Sequence, residues 1–174
     1  MTYRFKKIYF NGCSWTWGLS LENPLEQRYS RLLCNHLRAE ECNFALVGGS
    51  TRRVARHMLE HNMSKYGLVI VQMTYNQRTE YYDGEWKKVK YPMKPSHEFW
   101  NRYYKEIYDE KYGNIDEHVY YHFFRSLLKD KPHIIMKIGS DSKSGLPYDI
   151  ILPGSGHPDE QGHKDICQSI LDIL

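Results

Sequence analysis

The sequence of 174 residues has few cysteines, no long apolar run and little net charge. Its four cysteines, Cys13, Cys34, Cys42 and Cys167, include no CxxC pair, which argues against a disulfide framework and a structural zinc site. No segment approaches the roughly 18 apolar residues that a membrane-spanning helix needs. The beginning of the chain lacks the apolar core and cleavage site of a signal peptide, so we expect a cytoplasmic protein with reduced thiols.

Charge is nearly balanced, with 24 Lys and Arg against 21 Asp and Glu, for a net charge of +3. The basic clusters Arg52-Arg53 and Lys87-Lys88 are short and typical of solvated surface, so no nucleic-acid partner is expected. Gly48-Gly49-Ser50 lacks the lysine of a phosphate-binding Walker loop. We expect neither a cofactor nor a metal.

Aromatic residues are abundant, with 15 tyrosines and 4 tryptophans. They are densest in residues 75–124, which we interpret as an insertion, with residues 74–95 as loop, in a single domain spanning 1–174. Tyrosine faces stack on sugars, so Tyr75, Tyr81, Tyr82, Trp86 and Tyr91 are candidates for glycan binding. The alternative is that they pack against helices carrying Trp100, Tyr103, Tyr104 and Tyr108.

Short apolar runs alternate with segments of helical spacing along the chain. Predicted strands are 7–10, 42–47, 68–73, 134–138 and a short 149–152, and the second precedes a helix that Ser50 or Thr51 can cap. Predicted helices are 24–37, a segment from 51 carrying Val54, Met58 and Leu59, 98–112, a further helix to about 129 after a break at Gly113-Asn114, and 159–174. Continuous apolar strands joined by helices predict a three-layer α/β/α sandwich with a mostly parallel sheet of four to five strands.

Reactive residue types follow the predicted strands. Ser14 lies after the first strand, Gly48 and Gly49 after the second, Asn76 after the third, and His157 precedes the last helix. Sites in open α/β sheets lie at the carboxyl ends of the strands, so these residues are expected to converge. A serine nucleophile, a histidine base and amide donors for an oxyanion are the groups that acyl transfer requires.

The order Ser, Gly, Asn, His resembles the four blocks of the SGNH hydrolase superfamily, the GDSL-like esterases and lipases. The segments that carry the resemblance are Gly12-Cys13-Ser14-Trp15-Thr16-Trp17-Gly18, Asn43 to Gly48, Thr74-Tyr75-Asn76-Gln77, and His157-Pro158 with Gly162-His163. The resemblance implies a flavodoxin-like fold and carboxylic ester hydrolysis. Ser14 and His157 would be catalytic, and the Ser14 amide, Gly48 and Asn76 would form the oxyanion hole, with Gly49 an alternative to Gly48.

Three positions differ from the family pattern. Cys13 replaces an aspartate, Thr74 replaces a glycine, and Gly154 stands where the family places the aspartate that orients its histidine. Ser155, a backbone carbonyl, Asp141 or Asp149 are the alternatives for that task. The protein is therefore predicted to be an esterase with a Ser-His dyad or an atypical triad.

The substrate is expected to be an acyl or acetyl ester of a small molecule or carbohydrate. Trp15, Trp17 and Tyr75 are candidate substrate contacts, although both tryptophans could equally be core residues. The alternative function is a catalytically inactive relative that binds a glycan or a protein. Nothing in the sequence specifies the oligomeric state.

Overall fold

A five-stranded parallel sheet forms the centre of the structure, a computed structural model that describes residues 5–90, 98–139, 145–154 and 156–174. The strands are β1 (Lys7–Asn11), β2 (Glu40–Asn43), β3 (Leu68–Met73), β4 (Arg78–Asp83), β5 (Glu85–Lys90), β6 (His133–Ile138) and β7 (Ile150–Leu152). The order in the sheet is β2-β1-β3-β6-β7, and every neighbouring pair is parallel. The predicted parallel sheet is confirmed.

Helices cover both faces of the sheet. They are α1 (Ser14–Trp17), α2 (Pro24–Gln27), α3 (Tyr29–Leu37), α4 (Thr51–Glu60), α5 (Glu98–Glu106), α6 (Glu110–Leu127) and α7 (Glu160–Leu171). None of those in the described ranges has the length and apolar character needed to cross a bilayer.

Alternation along the strands builds two cores. Ile8, Phe10, Ile70 and Met136 face α3 and α7, while Tyr9, Val69, Val71 and Ile135 face α4 and α6. Because side chains of a strand point alternately to opposite faces, continuous apolar runs serve both cores at once. The predicted α/β/α sandwich is confirmed.

The second strand lies earlier than predicted. The apolar run 44–47 is a loop, and the polar β2 pairs with β1 in the register Lys7↔Glu40 to Phe10↔Asn43. The side chain of Glu41 in β2 is buried, where it accepts two hydrogen bonds from Arg28 and one from Ser30. A buried carboxylate that accepts several hydrogen bonds can occupy an edge strand. Hydrophobic periodicity does not reveal a strand of this kind.

Two predicted helix boundaries are wrong. The segment 24–37 is broken at Arg28, whose extended backbone separates α2 from α3 while its guanidinium binds Glu41. The break between α5 and α6 lies at 107–109 instead of Gly113-Asn114, because Asp109 caps α6 by accepting a hydrogen bond from the Tyr112 amide. Both glycine and asparagine are tolerated in a helix whose first turn is capped.

The helix predicted from residue 51, carrying Val54, Met58 and Leu59, is α4, and the Leu59 side chain is exposed on it. Val54 and Met58 do face the core, and Ser50 caps the helix by accepting from the Arg53 amide. The terminal helix is Glu160–Leu171, with Asp159 accepting from the Gly162 amide.

Much of the predicted loop 74–95 is a β-hairpin, formed by the antiparallel strands β4 and β5 around Gly84. Glu80 is buried and paired in bidentate fashion with Arg56 of α4, which fastens the hairpin to the sandwich. Tyr81 contacts Trp100 with ring centroids 5.3 Å apart, whereas Tyr82 and Trp86 are exposed. Tyr91 lies outside the described residues. The aromatic residues of this hairpin thus divide between packing and open surface.

His163 joins α7 to α3 in the core. Its ring is fully buried and stacks on Tyr29, and Nδ1 accepts a hydrogen bond from the Tyr29 amide at 3.2 Å. Nδ1 must be unprotonated to accept this bond, and burial lowers the pKa of His163 to about 4.

We predict that His163 destabilises the fold in mild acid. The unfolded chain binds a proton near pH 6.5 and the folded one near pH 4, so stability is present above 6.5 and is lost as pH falls through this window. The loss attributable to one group is on the order of 3 kcal/mol. Urea unfolding of His163→Gln between pH 7 and 4.5 should give a shallower dependence than wild type, whereas His36→Gln, at an exposed site, should retain the wild-type slope. Equal slopes for wild type and His163→Gln would contradict the assignment.

Candidate active site

Ser14 lies in the turn that leaves the carboxyl end of β1. It is the first residue of α1 and is 3% exposed. The amide of a first helical residue has no acceptor within its helix, so both the hydroxyl and the amide of Ser14 are available at this edge of the sheet. The position combines a hydroxyl with an amide hydrogen-bond donor.

Gln72 of the neighbouring strand β3 holds this turn in place. Its Oε1 accepts hydrogen bonds from the Cys13 amide at 3.2 Å and from the Thr16 hydroxyl at 2.9 Å. The Tyr29 hydroxyl donates in turn to Thr16 Oγ1 at 2.9 Å. A Cβ on Gly12 would approach Gln72 within 2.8 Å, so glycine allows the close contact.

Gln72 was not predicted as a site residue. The available signal was a lone amide side chain in the otherwise apolar strand Leu68–Met73. Buried polar groups need partners, and the Oε1 of Gln72 finds them in the turn that carries Ser14. Cys13 is buried, with its Sγ 3.4 Å from Gln72 Oε1.

His157 reaches Ser14 from the loop before α7. Its Nε2 is 2.8 Å from Ser14 Oγ, within the range for direct proton transfer. Nδ1 has no hydrogen-bond partner among the described residues. Tyr75 donates its hydroxyl to the Gly154 carbonyl at 3.0 Å and so anchors the start of the same loop.

Asp149 does not orient His157. Its carboxylate accepts from Arg125 at 2.8 Å and from the Ile135 amide at 2.7 Å, so it is committed to β6 and α6. The other two side-chain alternatives, Asp141 and Ser155, lie outside the described residues. The pair Ser14–His157 therefore stands without an acid from the described part of the chain.

Gly48 and Gly49 form a turn beside the end of β1. The Gly49 amide donates to Leu46 O at 2.7 Å, and a Cβ on Gly49 would lie 2.9 Å from Gly12 O, so this residue is closely packed. Gly48 has φ +73°, with open space where a Cβ would be. The Val47 carbonyl, which belongs to the same peptide unit as the Gly48 amide, accepts from Lys88 at 3.1 Å. Of the two glycines, Gly48 is the one whose amide has no acceptor among the described residues.

Asn76 is tied into a buried polar cluster. Its Nδ2 donates to Glu117 at 2.7 Å, and its Oδ1 accepts from Lys137 at 2.9 Å. Lys137 also donates to Thr74 O at 3.0 Å and lies 3.1 Å from Glu117. One of the two Nδ2 hydrogens of Asn76 is thus occupied, which the sequence did not indicate.

The cluster contains a buried ion pair. Burial lowers the pKa of Lys137, and for Glu117 the opposing effect of burial is outweighed by Lys137, Tyr148 and Asn76, which lower its pKa. Tyr148 donates to Glu117 Oε1 at 2.6 Å. Removing one partner of such a pair is costly because the other charge remains buried. Asn76 hydrogen-bonds to both Glu117 and Lys137, so it has a structural role in this pair. Asn76→Ala is therefore expected to impair folding.

The candidate substrate contacts occupy different environments. Trp15 is 3% exposed and belongs to the core beneath the sheet, whereas Trp17 is 38% exposed. Tyr75 is partly buried and stands beside the His157 loop. Of the two tryptophans, Trp17 is the one that a ligand can reach. No group of three or more potential metal-ligating side chains occurs in the described ranges.

Solved structures with the same fold include ester hydrolases. The chain superposes on a protein assigned to the G-D-S-L lipolytic family from Desulfitobacterium hafniense DCB-2 with a TM-score of 0.57 and 11% identity, over 97% of this chain and 99% of that one. A family two carbohydrate esterase from Clostridium thermocellum in complex with cellohexaose gives 0.55 and 13%, over 97% and 63%. This chain thus spans less than two thirds of that protein.

A psychrotrophic esterase from Pseudoalteromonas sp., inhibited by monoethylphosphonate, gives a TM-score of 0.53 and 12% identity, over 96% of this chain and 95% of that one. No family model matches the chain, and no curated protein matches it in sequence. At these identities the likeness establishes a GDSL-like fold.

We predict that Gln72→Met destabilises the protein by about 1–3 kcal/mol, because the buried Cys13 amide loses its acceptor. Urea unfolding monitored by circular dichroism measures the change. Gln161→Met, on the exposed face of α7, provides the control and should leave the midpoint within experimental error. Wild-type stability of Gln72→Met would show that Gln72 does not hold the turn that carries Ser14.

Proposed function

We propose that this protein is a serine hydrolase that cleaves a carboxylic ester through the Ser14–His157 dyad. The observation that carries the proposal is the 2.8 Å contact between His157 Nε2 and Ser14 Oγ, at the carboxyl edge of a GDSL-like sheet. The two residues are 143 positions apart along the chain, so only the fold brings them together. Solved structures of the same fold include esterases, which favours ester hydrolysis over other acyl transfers.

In the proposed reaction the Ser14 hydroxyl attacks the ester carbonyl while its proton passes to His157 Nε2. The new Oγ–C bond gives a tetrahedral oxyanion. As this collapses, the C–O bond to the alcohol breaks and the imidazolium returns the proton to the departing oxygen. Water then attacks the carbonyl of the acyl-Ser14 while one of its protons passes to His157. As this second tetrahedral intermediate collapses, the Oγ–C bond breaks, His157 returns the proton to Ser14 Oγ, and the carboxylic acid is released.

The developing oxyanion requires donors that are already in place. We assign the amides of Ser14 and Gly48 as two of them, since neither has an acceptor among the described residues. The Lys88 contact to the Val47 carbonyl fixes the plane of the peptide that carries the Gly48 amide. The second Nδ2 hydrogen of Asn76 is the proposed third donor.

His157 works in this scheme without a carboxylate. A triad aspartate fixes the tautomer of its histidine and stabilises the imidazolium. Gly154 stands at the position of that aspartate and has no carboxylate. The Tyr75 hydroxyl instead holds the loop by donating a hydrogen bond to the Gly154 carbonyl. We therefore expect slow hydrolysis, with the proton transfer limited by the poorly stabilised imidazolium.

The alternative is a binding protein with an inactive centre. It is favoured by the absence of an acceptor for His157 Nδ1 within the described residues and by the exposed rings of Tyr82 and Trp86 on the hairpin. A carbohydrate ester is the proposed substrate class in the active case, and a glycan is the proposed ligand in the inactive one.

Covalent labelling distinguishes the two functions. A fluorophosphonate probe should modify Ser14, as mapped by peptide mass spectrometry, because His157 activates its hydroxyl. Ser14→Ala and His157→Ala should abolish labelling, whereas Ser20→Ala and His36→Ala, at exposed sites, should retain it. Absence of labelling in the folded wild-type protein would favour the binding function.

Supplying the missing acid should accelerate the reaction. We expect Gly154→Asp to raise kcat for 4-nitrophenyl acetate at least about tenfold, since a well-placed carboxylate can contribute up to about 10⁴-fold. Gly154→Asn matches the size without the charge and should give no such increase. If the aspartate and asparagine variants have the same rate, a carboxylate at residue 154 does not assist His157.

A further inference from the structure

A cavity of about 100 Å³ opens between the hairpin and helices α4, α5 and α6. Six tyrosines line it: Tyr75, Tyr103, Tyr104, Tyr108, Tyr112 and Tyr120. Because a cavity needs roughly 10–15 Å³ of such volume for each water molecule, it has room for several waters or for one ring-sized group. The insertion therefore forms a concave site.

Arg78 is the unusual residue of this cavity. Its Nη1 is buried and has no hydrogen-bond partner among the described residues, although the guanidinium always carries a charge. Its Cζ lies 4.9 Å from the centre of the Tyr75 ring, which holds the side chain in place. A buried donor without an acceptor is costly. Because Arg78 lines the cavity, a turn of its guanidinium toward the cavity would let a ligand supply that acceptor.

The lining contains three further charged residues, Arg52, Asp116 and Glu117. Burial raises the pKa of Asp116, and the charge of Arg52 opposes this rise. Glu117 is paired with Lys137 at 3.1 Å. Arg78 forms no ion pair with any described residue, so its positive charge favours a ligand that carries a negative charge.

Polar groups dominate the rest of the lining. The hydroxyls of Tyr103, Tyr108 and Tyr112 have no hydrogen-bond partners among the described residues. Their rings can pack against the face of a ring while their hydroxyls bind its substituents. This combination suits a hydroxylated ring better than a purely apolar one.

Tyr75 connects the cavity to the candidate catalytic centre. Its ring lines the cavity beneath Arg78, and its hydroxyl binds the carbonyl of Gly154, three residues before His157. A ligand held in the cavity is therefore adjacent to the side chain that anchors the His157 loop.

We propose that the tyrosine cavity binds a hydroxylated six-membered ring bearing a carboxylate, with Arg78 as the carboxylate-binding residue. A guanidinium presents a planar fork of donors that matches a carboxylate in bidentate geometry. Resting on the proposed function, this assigns the substrate class as an ester of an acidic sugar.

The test is a calorimetric titration of the full chain with sodium glucuronate and with glucose at equal ionic strength. Glucuronate should bind at least tenfold more tightly than glucose, because only the acid can pair with Arg78. Arg78→Gln should remove this preference. Arg102→Gln is the matched control, since Arg102 is exposed on α5 and pairs with Glu106, and it should bind like wild type.

Equal affinity for the two sugars, no binding of either, or an unchanged preference in Arg78→Gln would overturn the proposal. Arg78→Lys keeps the charge but loses the planar fork, and it replaces Arg78→Gln if the latter does not fold. It should weaken glucuronate binding several-fold, and undiminished binding would count against the bidentate contact.

The same titration with Ser14→Ala separates this proposal from the proposed function. Ser14 is not part of the cavity lining, so the variant should bind glucuronate like wild type. Binding that depends on Arg78 in a protein that the fluorophosphonate does not label would leave the cavity as a sugar-acid site without catalysis. Labelling of Ser14 without glucuronate binding would remove only the cavity proposal.

Discussion

The contact between Gln72 Oε1 and the Cys13 amide joins the middle strand of the sheet to the turn that carries Ser14. Parallel pairing of β1 with β3 places Gln72 beside Gly12, and the missing side chain of Gly12 lets the two elements meet. The Thr16 hydroxyl donates to the same oxygen, so both ends of α1 are attached to the strand β3. The position of Ser14 is consequently set by the packed interior instead of by its own short helix, which has too few residues to be stable alone.

A second polar centre lies along the same edge, where Lys137, Glu117 and Asn76 link β6, α6 and the segment after β3. This cluster determines where the chain after β3 goes, and therefore where Tyr75 meets the His157 loop. A buried ion pair contributes little net stability compared with apolar packing, but a misplaced partner is heavily penalised. The Lys137–Glu117 pair therefore favours a single arrangement of the chain at this edge of the sheet.

Elements dictated by local patterns were predictable, and those dictated by distant partners were not. The runs ending at Met73 and Ile138 are strands because continuous apolar segments must be covered on both faces. The strand β2 was misplaced, since burial of Glu41 depends on Arg28 and Ser30, which no local pattern connects to it. The hairpin was missed for a related reason. Its strands are polar, and they are fastened to the sandwich by the Arg56–Glu80 pair.

By itself, the sequence determined the layered α/β/α architecture and the order of Ser14, Gly48, Asn76 and His157 along it, because apolar periodicity and strand ends are local properties of the chain. Tertiary structure alone decided the 2.8 Å approach of His157 to Ser14, the commitment of Asn76 to Glu117 and Lys137, and the enclosure of Arg78 among tyrosines. Each of these depends on residues far apart in the chain. Hydrogen bonds and ion pairs act over a few ångströms, so their partners are chosen only when the packed elements have brought them together.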